Sequence, residues 1–235
     1  MNSLRRFALL AVVPVLALTA ACGGDTTTPK ADKSACSYDA APQKAPKPVD
    51  KPSGNPTKDE PTDLSIATNQ GDVPVSLDAD KTPCTVNSFV SLAKQGYFDK
   101  TPCHRLTDQG IFVLQCGDPT GTGTGGPGYQ FEDELVEKDP RLQPCTGQVD
   151  PQSGKEVCTY PAGTLAMANG GPGTNGSQFF LVYKDSPLPT AYTAFGRMSA
   201  AGLQVVQKVA AAGAKAPDQT GTTAPQQPVK ITSVS

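Results

Sequence analysis

The chain has 235 residues, of which 23 are glycine and 23 are proline, so one compact domain plus a stretch of unstructured polypeptide is expected rather than a fully folded chain. Its 20 basic and 22 acidic residues leave no excess of positive charge to neutralise phosphates, which argues against nucleic acid as a partner. One histidine, His104, and no Cys-x-x-Cys pair exclude the usual His/Cys zinc sets, so no metal is expected, and seven cysteines without a metal or redox pattern point to an oxidising compartment.

Arg5 and Arg6 precede an apolar run from Phe7 to Leu18. That run is too short for a membrane span but suits the core of a signal peptide. It ends in LTAAC, Leu18 to Cys22, and resembles a bacterial lipoprotein signal, although Thr19 stands where that pattern usually has leucine. Residues 1–21 are therefore expected to be a signal peptide, with Cys22 lipidated and the protein held extracytoplasmically at the cell membrane. An ordinary secreted form with Cys22 as a spare thiol is the alternative. Removing Cys22 from the count leaves six cysteines, an even number able to pair.

Residues 22–62 are rich in Pro, Lys, Asp and Thr with almost nothing bulky to bury, and read as a disordered tether. From Leu64 the pattern changes: LSIAT and VPVSL alternate around a turn at Gln70–Asp72, as in a β-hairpin. Next comes a helix with Thr82 as N-cap, Pro83 in its first turn and Gly96 as terminator. Its apolar face is Val86, Phe89, Val90 and Ala93. A second helix is expected from about Ala200 to Ala212. The short apolar runs between them, with a closing strand near Val229 to Ser233, predict a mainly β barrel or sandwich. The formal GxGxxG at Gly121, Gly123 and Gly126 is followed by Pro127 and Gly128 instead of a helix, so no dinucleotide site is expected.

Four strings occur in order: HRLTDQGIFVLQCGD from His104, GTGTGGPGYQFEDE from Gly121, GTLAMANGGPGTNGSQFF from Gly163 and AFGRM from Ala194. Together they resemble the cyclophilin family of peptidyl-prolyl cis–trans isomerases, over residues 63–235. The resemblance implies an eight-stranded antiparallel closed β-barrel capped by two α-helices. It also implies an enzyme that accelerates rotation about X–Pro bonds, with proline-containing segments of exported proteins as partners, and a monomer. A proline-peptide-binding lipoprotein or chaperone module without turnover is the alternative.

Such a catalyst must bind the twisted amide more tightly than either planar form, and needs no nucleophile or cofactor. The resemblance places Arg105 as the catalytic cation and Phe112, Val113, Phe180 and Leu188 in the proline pocket. Gln115, Asn169 and Gln178 match polar positions that bind or orient the substrate backbone, with Ala168 and Gly170 contributing groove backbone. Tyr192 replaces a frequent histidine, and Pro187 a frequent tryptophan. The Arg105–Phe112 spacing is two residues longer than in typical members. His104 is read as structural.

Residues 141–161 form an insertion, and a disulfide between Cys145 and Cys158 is expected to close it. Cys103 and Cys116 flank the hairpin that carries Arg105 and Gln115. Cys84 opens the first helix and Cys36 lies in the tether. Six cysteines allow fifteen pairings, among which sequence does not choose.

Overall fold

The computed structural model describes residues 35–56, 61–219 and 221–235. The expected signal peptide, Cys22 and the first part of the tether lie outside the described residues. In chain order the elements are β1 (Asp39–Ala40), β2 (Asp63–Thr68), β3 (Gly71–Leu77), α1 (Pro83–Lys94), β4 (Pro102–Cys103), β5 (Arg105–Leu106), β6 (Val113–Cys116) and β7 (Tyr129–Gln130). They continue with β8 (Cys145–Val149), β9 (Glu156–Tyr160), β10 (Thr164–Met167), β11 (Phe179–Val182), β12 (Ser186–Pro189), β13 (Ala194–Met198), α2 (Ala200–Ala211) and β14 (Val229–Val234).

Nine strands form one antiparallel sheet in the order β4-β14-β2-β3-β13-β10-β11-β6-β5. The two end strands, β4 and β5, are separated in sequence by His104 alone. They are two halves of one stretch, so the sheet curls back on itself as a nearly closed barrel, in line with the eight strands expected. The β2–β3 hairpin pairs in register from Asp63↔Ser76 to Thr68↔Gly71. Its two-residue loop ends at Gly71, whose φ of 127° is outside the range ordinary side chains adopt.

Both helices lie where periodicity places them, but their ends are capped differently. Ser199 caps α2 by accepting from the Gly202 amide at 3.1 Å. Thr82 does not cap α1; its hydroxyl donates to the Asp78 carbonyl instead. The free amides of Cys84 and Thr85 are taken by the Glu134 carboxylate, at 2.9 and 2.8 Å. A negative group at a helix N-terminus also complements the helix dipole.

The barrel interior holds Phe89, Phe98, Phe179 and Phe195, with ring centroids 5.0–5.7 Å apart for the contacting pairs. Each such buried ring contributes roughly 1.5–3 kcal/mol. Successive strand residues point to opposite faces. Leu114, Leu165 and Leu181 therefore face this interior, while Val113, Ala166, Phe180 and Val182 face outward into a second cluster with Cys158, Tyr160 and Leu188. That outer cluster explains why the central strands read as unbroken apolar runs.

The cover over the outer face comes from the insertion. Strands β8 and β9 form a hairpin that pairs with β12 as a separate three-stranded sheet, and Leu188 lies opposite Cys158 in that register. Cys145 and Cys158 are bonded, as expected, and sit directly across from each other. Arg141, at the hairpin base, bridges Asp139 and Asp78 at 2.6 and 2.7 Å. The other disulfides among the described residues are Cys103–Cys116 and Cys36–Cys84.

The tether expectation is corrected over residues 35–56. Cys36 and Tyr38 belong to the buried core, β1 pairs with β7, and Lys47 Nζ donates to the backbone carbonyls of Tyr97 and Asp99. The composition is that of a linker, but a half-cystine and an aromatic ring are enough to dock it.

Candidate active site

The site lies on the outer face of β5, β6 and β11, with β12 supplying a further wall. Arg105 and Gln115 are cross-strand partners, and Phe180 is opposite Gln115 on the other side. A cavity of about 140 Å³ opens there. Its apolar walls are Ile111, Val113, Phe180 and Leu188, with the Tyr192 ring edge-on to Phe180 at 5.6 Å. Arg105, Gln115, Ala168 and Asn169 complete the lining.

The polar side chains are joined in a chain. Arg105 Nη1 donates to Gln115 Oε1 at 3.2 Å, and Gln115 Nε2 donates to Gln178 Oε1 at 2.9 Å. Gln178 Nε2 in turn donates to the carbonyls of Gly123 and Gly125, both at 2.9 Å. The glycine loop is held by Asp118, whose carboxylate accepts from the amides of Gly123 and Gly125 at 2.8 and 3.0 Å. Burial opposes ionisation of Asp118, but hydrogen bonds from Thr120 and from the Gly125, Thr120 and Gly123 amides outweigh it and hold the carboxyl below its usual range. The guanidinium is thus positioned by groups that are themselves positioned. Asn169 is fixed likewise, donating to the Ala191 carbonyl and to Asp133. Asp133 also accepts from Asn175 and from the Gly173 amide.

Of the residues expected at the site, Arg105, Val113, Gln115, Ala168, Asn169, Phe180, Leu188 and Tyr192 share this cavity. Gly170 and Gln178 line a second one, of about 380 Å³, which shares Gln115, Ala168 and Asn169 with the first. Phe112 lines neither cavity. It packs edge-on to Tyr183 at 5.9 Å, beneath Lys184 Nζ, while Ile111 takes the wall position. The reason is strand parity: Val113 and Gln115 face the cavity, so residue 111 shares their face and residue 112 does not. The longer Arg105–Phe112 segment is pinned by Tyr183, whose hydroxyl donates to the Thr107 carbonyl at 2.7 Å. Ile111, Asp118 and Asp133 had no assigned role in the sequence; alternation could have found Ile111, whereas the two aspartates act through loops that only the fold closes.

His104 is buried, lines neither cavity, and neither ring nitrogen has a hydrogen-bond partner among the described residues. Burial pushes its pKa below the ordinary histidine value; Asp118 opposes that and Arg105 adds to it. Because the folded pKa is the lower one, the unfolded chain binds the proton first as pH falls. Stability is then full above about pH 6.5 and declines below it. Urea midpoints should drop between about pH 7.5 and 5.5 in the parent, and less so in His104→Phe. Asp118 and Asp139 also have lowered pKa values, and their contribution is lost only below about pH 4.

Among the described residues, one cluster of potential metal ligands is close enough to share an ion: Cys145, Glu156 and Cys158. Its two sulfurs are joined in the disulfide.

Comparison with known proteins agrees with the fold. The chain is 48% identical over 207 residues to the probable peptidyl-prolyl cis-trans isomerase B of Mycobacterium tuberculosis, covering 85% of this chain and 63% of that protein. It is also 48% identical over 186 residues to the Mycobacterium leprae counterpart, covering 76% and 59%. The chain thus spans less than two thirds of the length of these relatives. Two crystal structures of a Cryptosporidium parvum cyclophilin type peptidyl-prolyl cis-trans isomerase, one in the presence of the dipeptide Ala-Pro, match with TM-scores of 0.56 and 0.55 at 28% identity. They cover 74% and 73% of this chain and 95% and 96% of theirs. The family model for cyclophilin type peptidyl-prolyl cis-trans isomerases matches residues 63–235, and with the Arg105 cavity standing on the outer face of the nearly closed barrel, the chain belongs to that family.

Proposed function

We propose that the protein is a peptidyl-prolyl cis–trans isomerase that acts on exposed X–Pro bonds of exported proteins at the outer face of the cell membrane. The observation that carries this reading is the Arg105 guanidinium, hydrogen-bonded to Gln115 in a cavity whose apolar walls are Ile111, Val113, Phe180 and Leu188. The barrier to X–Pro rotation arises because the amide C–N bond is partly double. On twisting, the nitrogen lone pair localises and can accept a hydrogen bond that the planar amide cannot. A fixed donor beside that nitrogen favours the transition state over both ground states, while the cavity walls hold the proline ring. No bond is broken, so no nucleophile is required.

Support for an extracytoplasmic setting comes from the three disulfide pairs, a form of crosslink that persists in oxidising compartments, and from the apolar segment ahead of Cys22. Cells producing the full chain should carry its isomerase activity in the membrane fraction, measured as accelerated cis-to-trans exchange of X–Pro peptides, and Cys22→Ala should shift that activity to the soluble fraction. Peptide binding with unchanged exchange rates would instead favour the non-catalytic module.

A further inference from the structure

The second cavity is closed on one side by chain that lies outside the barrel: Ala41, Pro42 and Gln43 of the N-terminal arm. The arm is fixed on both sides of these residues. Before them, Cys36 is bonded to Cys84 and Tyr38 donates to the Cys84 carbonyl at 2.8 Å, and the Ala41 amide itself donates to the Gly128 carbonyl at 3.0 Å. After them, Ala45 packs so closely on Gly128 that a Cβ there would stand 3.2 Å from the Ala45 amide nitrogen, and the Asp50 backbone exchanges two hydrogen bonds with the Gln95 side chain.

Facing the arm is a wall in which glycines such as Gly123, Gly125 and Gly170 alternate with uncharged polar side chains such as Thr124, Gln130 and Thr174, and no charged side chain lines the cavity. An uncharged lining of that kind offers no counter-ion to a charged side chain, and Pro42 and Gln43 stand exposed on the arm side of it. Both cavities share Gln115, Ala168 and Asn169, so the second lies directly beside the first, where a residue flanking a bound proline would fall.

We propose that the arm is part of the substrate groove and that Gln43 is a specificity-determining residue, selecting uncharged side chains at one position flanking the proline. This rests on the isomerase reading.

The test uses the oxidised protein and its Gln43→Glu and Gln43→Lys variants. The probes are peptides with a single proline and Lys or Glu at each flanking position in turn. Both kcat/KM for isomerisation and the dissociation constant from NMR titration are read. At one position, the Lys-to-Glu preference should rise about threefold to tenfold in Gln43→Glu and fall by a similar factor in Gln43→Lys, shrinking at high salt. Ratios within about twofold of the parent at every position, in both variants, overturn the proposal; the threshold is set by the weak end of exposed charge pairs. If the parent binds these peptides without turnover, the isomerase reading fails while the affinity ratios still decide the arm's role. If it binds none of them, both fail.

Discussion

Arg105→Ala is expected to lower kcat/KM for X–Pro isomerisation by about 100-fold to 1,000-fold, the usual cost of removing one preorganised donor from a site where charge develops. The loss should fall on kcat and kcat/KM alike, because the hydrogen bond to the prolyl nitrogen exists only once the amide has twisted. Peptide affinity should change much less, since the ring is held by Ile111, Val113, Phe180 and Leu188. Folding should survive as well: among the described residues the Arg105 side chain makes one hydrogen bond, to Gln115, and no ion pair, and the alanine keeps the backbone pairing. Arg105→Lys should fall between the two, because a flexible ammonium keeps the charge but not the planar fork that Gln115 aligns. NMR exchange measurements on folded variants check this. A drop of less than about tenfold, well short of the loss expected for an essential donor, would remove Arg105 from the role assigned to it.

The meeting of Arg105 and Gln115 was legible in the sequence because the two stand in a recognisable string, and they face each other across adjacent strands. The hairpin and both helices were legible from alternation and from a helical period punctuated by Pro83, Gly96 and Gly213. What stayed hidden depends on distant parts of the chain meeting. Glu134 caps a helix whose amides lie about fifty residues earlier, a partnership no local pattern announces. The insertion was legible as a loop closed by a disulfide, but not that its Cys158 and Tyr160 stand in the same cluster as Leu188 and Phe180, behind the cavity wall. Phe112 shows the opposite failure. The motif placed it in the pocket beside Val113, but neighbours on a strand cannot share a face, and the physical rule was the better guide.

The arm is the largest departure from what composition implies, and its disulfide carries the largest expected effect on stability. Removing the Cys36–Cys84 link as Cys36→Ala/Cys84→Ala is expected to cost about 4 kcal/mol, the chain-entropy cost of opening a loop of this size, since the two half-cystines are 48 residues apart. For a domain of this size that corresponds to a fall in Tm of about 8–16 °C, readable by circular dichroism. Amide exchange should localise the change. Tyr38 still packs edge-on against Tyr129 and Phe131 at 5.5 and 5.6 Å, but two residues of β1–β7 pairing are a short ladder, so residues 36–56 should lose protection before the barrel strands do. A fall in Tm of less than about 2 °C, under 1 kcal/mol by the same scaling, would mean that the contacts of Tyr38, Lys47 and Asp50 hold the arm without the crosslink. Because Ala41–Gln43 also wall the second cavity, loosening the arm should blunt discrimination among flanking residues while the Arg105 cavity, built on β5, β6, β11 and β12, keeps its shape. Stability and selectivity would then be set by one crosslink, and the rate of rotation by another part of the molecule.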